Sequence, residues 1–197
     1  QLPSGSKIKH VVVKRSLGNW YVTLMVAFDA PCLLPPTGEA VGIDMGLKSL
    51  LALSEGTLID NPRWLRVSQQ RLRVLNRKLS RQKKGGSNWR KTASQLARLH
   101  SKTANQRRDF WHKTTRYLVS HYDLICMENL TLGFMTANRH LARSAHDAAL
   151  GEFRSLLVYK AAEAGKQVLL VPPQYTSQIC SGCGTMVAKS LRVRTHR

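Results

Sequence analysis

The sequence is short of acids, of cysteine and of long apolar runs, and each shortage closes off a class of protein. Only 11 residues of 197 are Asp or Glu, against 31 Lys and Arg, which leaves a formal net charge of +20. Self-repulsion on that scale is relieved by a polyanion, so nucleic acid is the leading partner. No stretch approaches the ~18 apolar residues of a membrane span, and the basic helical segments lack an uninterrupted apolar face. Neither a membrane nor a small-molecule substrate is expected. The four cysteines, Cys32, Cys126, Cys180 and Cys183, are too sparse and uneven for a secreted disulfide framework. The opening Gln1-Leu-Pro-Ser-Gly5 carries no secretory signal, and the expected compartment is reducing and cytoplasmic. A start on Gln rather than Met reads as a fragment or a processed end.

Because acids are scarce, two of them stand out. Asp44 lies in Val41-Gly-Ile-Asp-Met-Gly46, where strand alternation puts Val41, Ile43 and Met45 on one face and Gly42, Asp44 and Gly46 on the other. Flanking glycines leave the carboxylate open to close approach by a metal or phosphate. Glu128 closes the apolar run Leu124-Ile-Cys-Met127. Two strand-borne carboxylates converging on Mg²⁺ or Mn²⁺ are suited to phosphodiester hydrolysis. The bland alternative is turn or cap chemistry at two strand ends.

Along the chain, residues 7–28 read as a β-hairpin turning at Leu17-Gly-Asn19, followed by a Pro-rich linker over 31–38. Residues 41–45, 49–53 and 57–60 suit an antiparallel meander. Asn61-Pro62 then reads as a helix N-cap and first helical position. A helical hairpin is expected over 62–120, broken at Lys84-Gly-Gly-Ser87. Its seam joins Leu65, Leu72, Leu75 and Leu79 to Trp89, Leu96, Leu99, Thr103, Phe110 and Tyr117. A buried strand at 124–127, a single helix over 144–164 stopped by Gly165, and a second buried strand at 167–171 complete the pattern. The predicted fold class is α/β: an RNase H-like mixed sheet with a basic helical-hairpin insert and an N-terminal β-hairpin. In such a sheet the first strand and the one after the helical insert are neighbours, which would bring Asp44 to Glu128.

Between positions 62 and 117 stand 17 Lys or Arg and one acid, Asp109. The densest cations are Arg77, Lys78, Arg81, Lys83, Lys84, Arg90, Lys91, Arg107 and Arg108. A solvated surface helix mixes signs to gain i,i+4 pairs. This one forgoes them, and phosphate contact is the better reading, blind to sequence and sensitive to salt. Cys180-Ser-Gly-Cys183-Gly184 has the spacing of half a zinc ribbon. Zn²⁺ is expected only if a further ligand pair is supplied, with His196 a weak third ligand. A redox Cys-x-x-Cys is the alternative, without the helix it normally opens. Cys126 reads as a core residue and Cys32 has no assigned role.

Val41-Gly-Ile-Asp-Met-Gly-Leu-Lys48, Asn61-Pro-Arg-Trp-Leu65, Ala104-Asn-Gln-Arg-Arg-Asp-Phe110, Met127-Glu-Asn-Leu130, Asp147-Ala-Ala-Leu-Gly-Glu-Phe153 and Thr176-Ser-Gln-Ile-Cys-Ser-Gly-Cys-Gly184 together resemble the TnpB/OrfB family. That family comprises transposon-associated RNA-guided nucleases related to type V CRISPR effectors, and the resemblance runs from about Ile8 to the end of the chain. It implies a RuvC-type nuclease acting in transposition and DNA recombination, with DNA and guide RNA as partners and a prokaryotic, nucleoid-associated setting. It implies that Asp44 and Glu128 are the first and second metal acids and that Cys180 and Cys183 are the first zinc pair. Residues 1–38 would end a wedge domain, 39–175 form the nuclease core and 176–197 a partial zinc ribbon. The family's third acid and second cysteine pair fall outside these 197 residues, so the chain reads as truncated at both ends and weak or inactive in cleavage alone. Two alternatives stay open: a nuclease-inactive DNA- or RNA-binding regulator or remnant, and a basic structural RNA-binding protein with a zinc ribbon.

Overall fold

A computed structural model describes residues 2, 5–27, 33–130, 133, 137, 142–173, 178–180 and 182–187. Phe28, Pro31, Cys32, His140 and His196, and most of the expected zinc-ribbon segment, lie outside them.

Strands β1 (Lys7–Ser16) and β2 (Asn19–Ala27) pair antiparallel as a separate two-stranded sheet. Leu17 and Gly18, both with positive φ, make the two-residue turn that favours the strands' right-handed twist. Apolar residues on both of its faces, such as Val12, Val13, Trp20 and Val22, are exposed.

The main sheet contains β3 (Ala40–Met45), β4 (Ser49–Leu53), β5 (Leu58–Asp60), β6 (Leu124–Glu128) and β7 (Gln167–Val171), in the order β5-β4-β3-β6-β7. The meander β3–β5 is antiparallel, whereas β3, β6 and β7 run parallel. Strand alternation holds: Val41, Ile43, Met45, Ile125 and Met127 are buried, while Gly42, Asp44, Cys126 and Glu128 between them are half-buried or exposed. β7 departs from the sequence reading of a buried strand. It forms the sheet's edge, and Leu169, Leu170 and Val171 are exposed. An apolar run records hydrophobicity but not whether a further strand lies beyond it.

Helices α1 (Trp64–Ser80) and α2 (Ser87–His121) form the expected hairpin. Trp64 meets Phe110 edge-to-face at 5.2 Å and Ser68 Oγ lies 3.3 Å from Thr103 Oγ1, so the start of α1 sits beside the middle of α2. The seam holds through Leu72 and Thr103, but Tyr117 is 44% exposed. Beyond Phe110, α2 outruns α1 and turns another face to the core: Trp111 packs on Phe153, and Thr115, Leu118 and Val119 are buried. Asn61 is not the N-cap. Its side chain bridges Leu47 O and Arg63 N–H, and the helix begins at Trp64 after Arg63 in a left-handed conformation.

The single helix expected over 144–164 is two, α3 (Ala142–Ala148) and α4 (Leu150–Ala164), broken at left-handed Ala149. A non-glycine residue there costs on the order of 1–3 kcal/mol. Partners on α2 hold the break: Arg107 donates to His146 O, and Trp111 Nε1 donates to Ala148 O at 2.9 Å. α4 then buries Leu150, Phe153, Leu157 and Ala161 and ends at left-handed Gly165, as its periodicity predicts.

Residues 33–39 are docked rather than a free linker. Asp123 accepts from the N–H groups of Thr37 and Gly38 and pairs with buried Lys166, which also donates to Pro35 O at 2.7 Å. These contacts hold the Asp123 carboxyl down to about 2 from the ordinary 3.8, the Lys166 hydrogen bond contributing most.

Candidate active site

Parallel pairing of β3 and β6 sets Gly42 opposite Cys126 and Ile43 opposite Met127. Asp44 and Glu128 each follow one residue later, so both carboxylates leave the same face at the carboxyl edge of the sheet. Asp44 is exposed by area, yet its pKa is raised above 3.8, first by partial desolvation and second by the Glu128 charge. The backbone hydrogen bond at Met45 opposes that rise. Two carboxylates set side by side, the charge of Glu128 opposing the ionisation of Asp44 and both offering only hard oxygen donors, fit Mg²⁺ or Mn²⁺, which would offset that repulsion. Among the described residues, no cluster of three or more His, Cys, Asp or Glu forms.

The two flanking glycines do different work. At Gly42 a Cβ would meet only ordinary contact with Ser54 at 3.6 Å, so the space beside the pair is modest. At Gly46 a Cβ would fall 2.8 Å from Ser49 O, so that glycine is required by the β3–β4 turn. The two other acids near the motifs are engaged elsewhere. Asp123 anchors the docked segment, and Asp147 accepts from Leu65 N–H at 3.2 and 3.3 Å, capping α1 from outside in place of a local N-cap. Burial raises the Asp147 pKa, opposed by that hydrogen bond and by Arg107.

Of the nine expected phosphate-binding cations, seven (Arg77, Lys78, Arg81, Lys83, Lys84, Arg90 and Lys91) are exposed around the tip of the helical hairpin. None of the seven joins an ion pair among the described residues. The other two have partners within the chain: Arg107 bonds His146 O and Arg108 pairs with Glu152 at 3.1 Å.

Cys180 and Cys183 flank a tight turn. Cys180 N–H donates to Thr185 O, and Gly184 N–H donates to Cys180 O at 2.8 Å with Gly184 left-handed. Hydrogen bonding with Thr185, chiefly, and with Cys180 lowers the Cys183 pKa, and the turn presents two thiols, the donor chemistry of half a soft-metal site.

A family model described as "Probable transposase", OrfB_IS605, matches residues 24–139, and a second, "Cas12f1-like, TNB domain", matches residues 151–197. A Streptomyces pristinaespiralis protein named "Putative RNA-guided DNA endonuclease" is 37% identical over 95% of this chain and 47% of its own length. Its Escherichia coli (strain K12) counterpart, named with the suffix InsQ, is 35% identical over 90% of this chain and 48% of its own length. The chain therefore spans about half the length of the curated relatives it matches. A Cas12f1 chain solved by cryo-EM with sgRNA and target DNA shares the fold with a TM-score of 0.64, at 19% identity, over 92% of this chain and 39% of that one.

Proposed function

The chain belongs to the OrfB_IS605 transposase family, and from that premise we propose that it is the RuvC-type core of an RNA-guided DNA endonuclease. The observation that carries this reading is the register of β3 against β6, which sets Asp44 beside Glu128 on one face. The sheet order β5-β4-β3-β6-β7, with one antiparallel meander and three parallel strands, supports an RNase H-like architecture. Asp44 and Glu128 would hold Mg²⁺ or Mn²⁺. When bound, such a cation supplies charge neutralisation and Lewis acidity for phosphodiester hydrolysis. The hairpin-tip cations bind phosphates without reading bases, and DNA and guide RNA are the proposed partners. Residues 1–38 are proposed as the end of a wedge domain, and Cys180 and Cys183 as half of a zinc ribbon that takes Zn²⁺ with ligands supplied from elsewhere. The same reading implies a cytoplasmic, nucleoid-associated protein; no helix among the described residues is long and apolar enough to cross a membrane.

Incubation with Mn²⁺ and labelled DNA tests the reading. Weak cutting that disappears in both Asp44→Ala and Glu128→Ala supports it, and cutting that survives either substitution contradicts it. A second reading, a nuclease-inactive DNA- or RNA-binding regulator, is favoured by the lack of a third carboxylate beside the pair among the described residues. Binding that persists in EDTA, with no cutting in Mn²⁺, would select it.

A further inference from the structure

Glu128 stands where the β6 ladder runs out. The last partners between β3 and β6 are Ile43 and Met127, so Glu128 lies one residue beyond them. On the other side Glu128 is opposite Val171, the last residue of β7, and Pro172-Pro173 follow. Proline has no backbone N–H, so β7 offers the ladder no donor past that point. One more bond crosses: Asn129 N–H donates to Val171 O at 2.8 Å. A strand end so placed opens locally at low cost unless a side chain pins it.

The pin comes from the helix layer. Half-buried Arg154, on α4, donates from Nη1 to Asn129 Oδ1 at 2.9 Å, across 25 positions of sequence. Alternation turns Met127 and Asn129 toward one side of the sheet and Glu128 toward the other. Met127 shares its core with Phe153 and Leu157 of α4, so Arg154 reaches Asn129 from the side away from the carboxylate pair. Its own backbone has little freedom. Phe153, next in sequence, is fully buried with its ring centroid 4.7 Å from that of Trp111. The same Trp111 donates to Ala148 O, beside left-handed Ala149 where α4 begins. The strain at Ala149 thus sets the angle at which α4 leaves, and with it the reach of Arg154.

We propose that Arg154 is a positioning residue: through Asn129 it holds the carboxyl end of β6 so that Glu128 stays beside Asp44. This deepens, and rests on, the reading of those two acids as a metal pair. The sign of the effect separates positioning from charge. A guanidinium near a cation site repels the cation, so an Arg154 acting by charge alone would, once removed, let Mn²⁺ bind more tightly. An Arg154 acting by position would, once removed, weaken binding, because the second carboxylate leaves the shared site.

The test measures Mn²⁺ affinity at neutral pH from the EPR signal of the free ion. It compares the wild-type chain with Asp44→Ala, Arg154→Met, Arg154→Lys, Asn129→Ala and Arg154→Met/Asn129→Ala. Amide exchange is followed in the same proteins without metal, and thermal melting checks that each folds. Arg154→Met is expected to weaken the Asp44-dependent Mn²⁺ site on the order of tenfold. The Asn129 amide should exchange about tenfold faster in that variant, while Ile125, in the middle of β6, exchanges as before. Arg154→Lys, which keeps a donor, should restore most of both. Asn129→Ala, at an exposed position, should reproduce the affinity loss and carries the test if Arg154→Met does not fold. The double variant should lose no more than either single one. Unchanged or tighter Mn²⁺ binding in Arg154→Met, or losses that add in the double variant, overturn the proposal and leave the metal pair standing. Wild-type Mn²⁺ binding that Asp44→Ala does not diminish removes the metal pair itself, and the positioning role with it.

Discussion

The two halves of α2 each carry four Lys or Arg and do opposite things. From Ser87 to about Gln106 the helix pairs with α1 as a projecting arm, half-buried along one seam and densely cationic elsewhere. From Arg107 to His121 it packs on α4, buries Trp111, Thr115, Leu118 and Val119, and directs its first two cations to His146 O and Glu152. The difference teaches that a cation's role follows from what stands opposite it: open solvent at the tip, a broken helix at the base.

Breaking the base should give the largest effect. Trp111→Ala empties a fully buried site and strips Ala148 O of its donor, and a loss of about 3–5 kcal/mol in denaturant unfolding is expected. Trp89→Ala, in the half-buried seam of the arm, should cost less than half as much; equal losses would erase the distinction between the two halves. In nucleic-acid binding the ranking should reverse. Replacing Arg77, Lys78, Arg81, Lys83 and Lys84 by Gln is expected to lower the salt slope on duplex DNA by up to about 4.5, whereas Arg107→Gln/Arg108→Gln should leave it nearly unchanged. A base pair of substitutions that lowers the slope as much as two tip substitutions would place Arg107 and Arg108 in the interface after all.

A pH titration sharpens the contrast with a buried cation that is not for nucleic acid. The Asp123 pKa is about 2 in the fold against 3.8 ordinarily, so its share of stability is whole above pH ~4 and disappears as pH falls toward 2. Asp123→Asn should flatten that acid limb of the melting-temperature profile and lower stability at neutral pH, where Lys166 would lose its carboxylate. The smallest effect belongs to Arg108 and Glu152, whose exposed pairing is worth at most about 1 kcal/mol in a double-mutant cycle.

Period made much of this legible. The meander, the alternation around Asp44 and the buried face of α4 all follow from two- or 3.6-residue spacing of apolar side chains. The seven-residue seam of α2 was equally plain, and it hid Trp111, whose burial depends on Phe153 and Ala148, which the seam never meets. Contacts distant in sequence left no trace: Asp123 reaches Thr37 across 86 positions, and Asp147 caps α1 from 82 away. The break at Ala149 was invisible because alanine favours helix, while Arg107 and Trp111, which bond the carbonyls before it, lie about 40 positions away.

Everything functional depends on whether Asp44 and Glu128 share one electrostatic site, and an NMR titration of the Asp44 carboxyl reads that directly. A wild-type pKa above 3.8 that falls in Glu128→Gln is expected, with Mn²⁺ broadening both carboxyl resonances in the wild type and the Asp44 resonance only weakly in the variant. An Asp44 pKa indifferent to Glu128, together with Mn²⁺ broadening that touches only one of them, would contradict it.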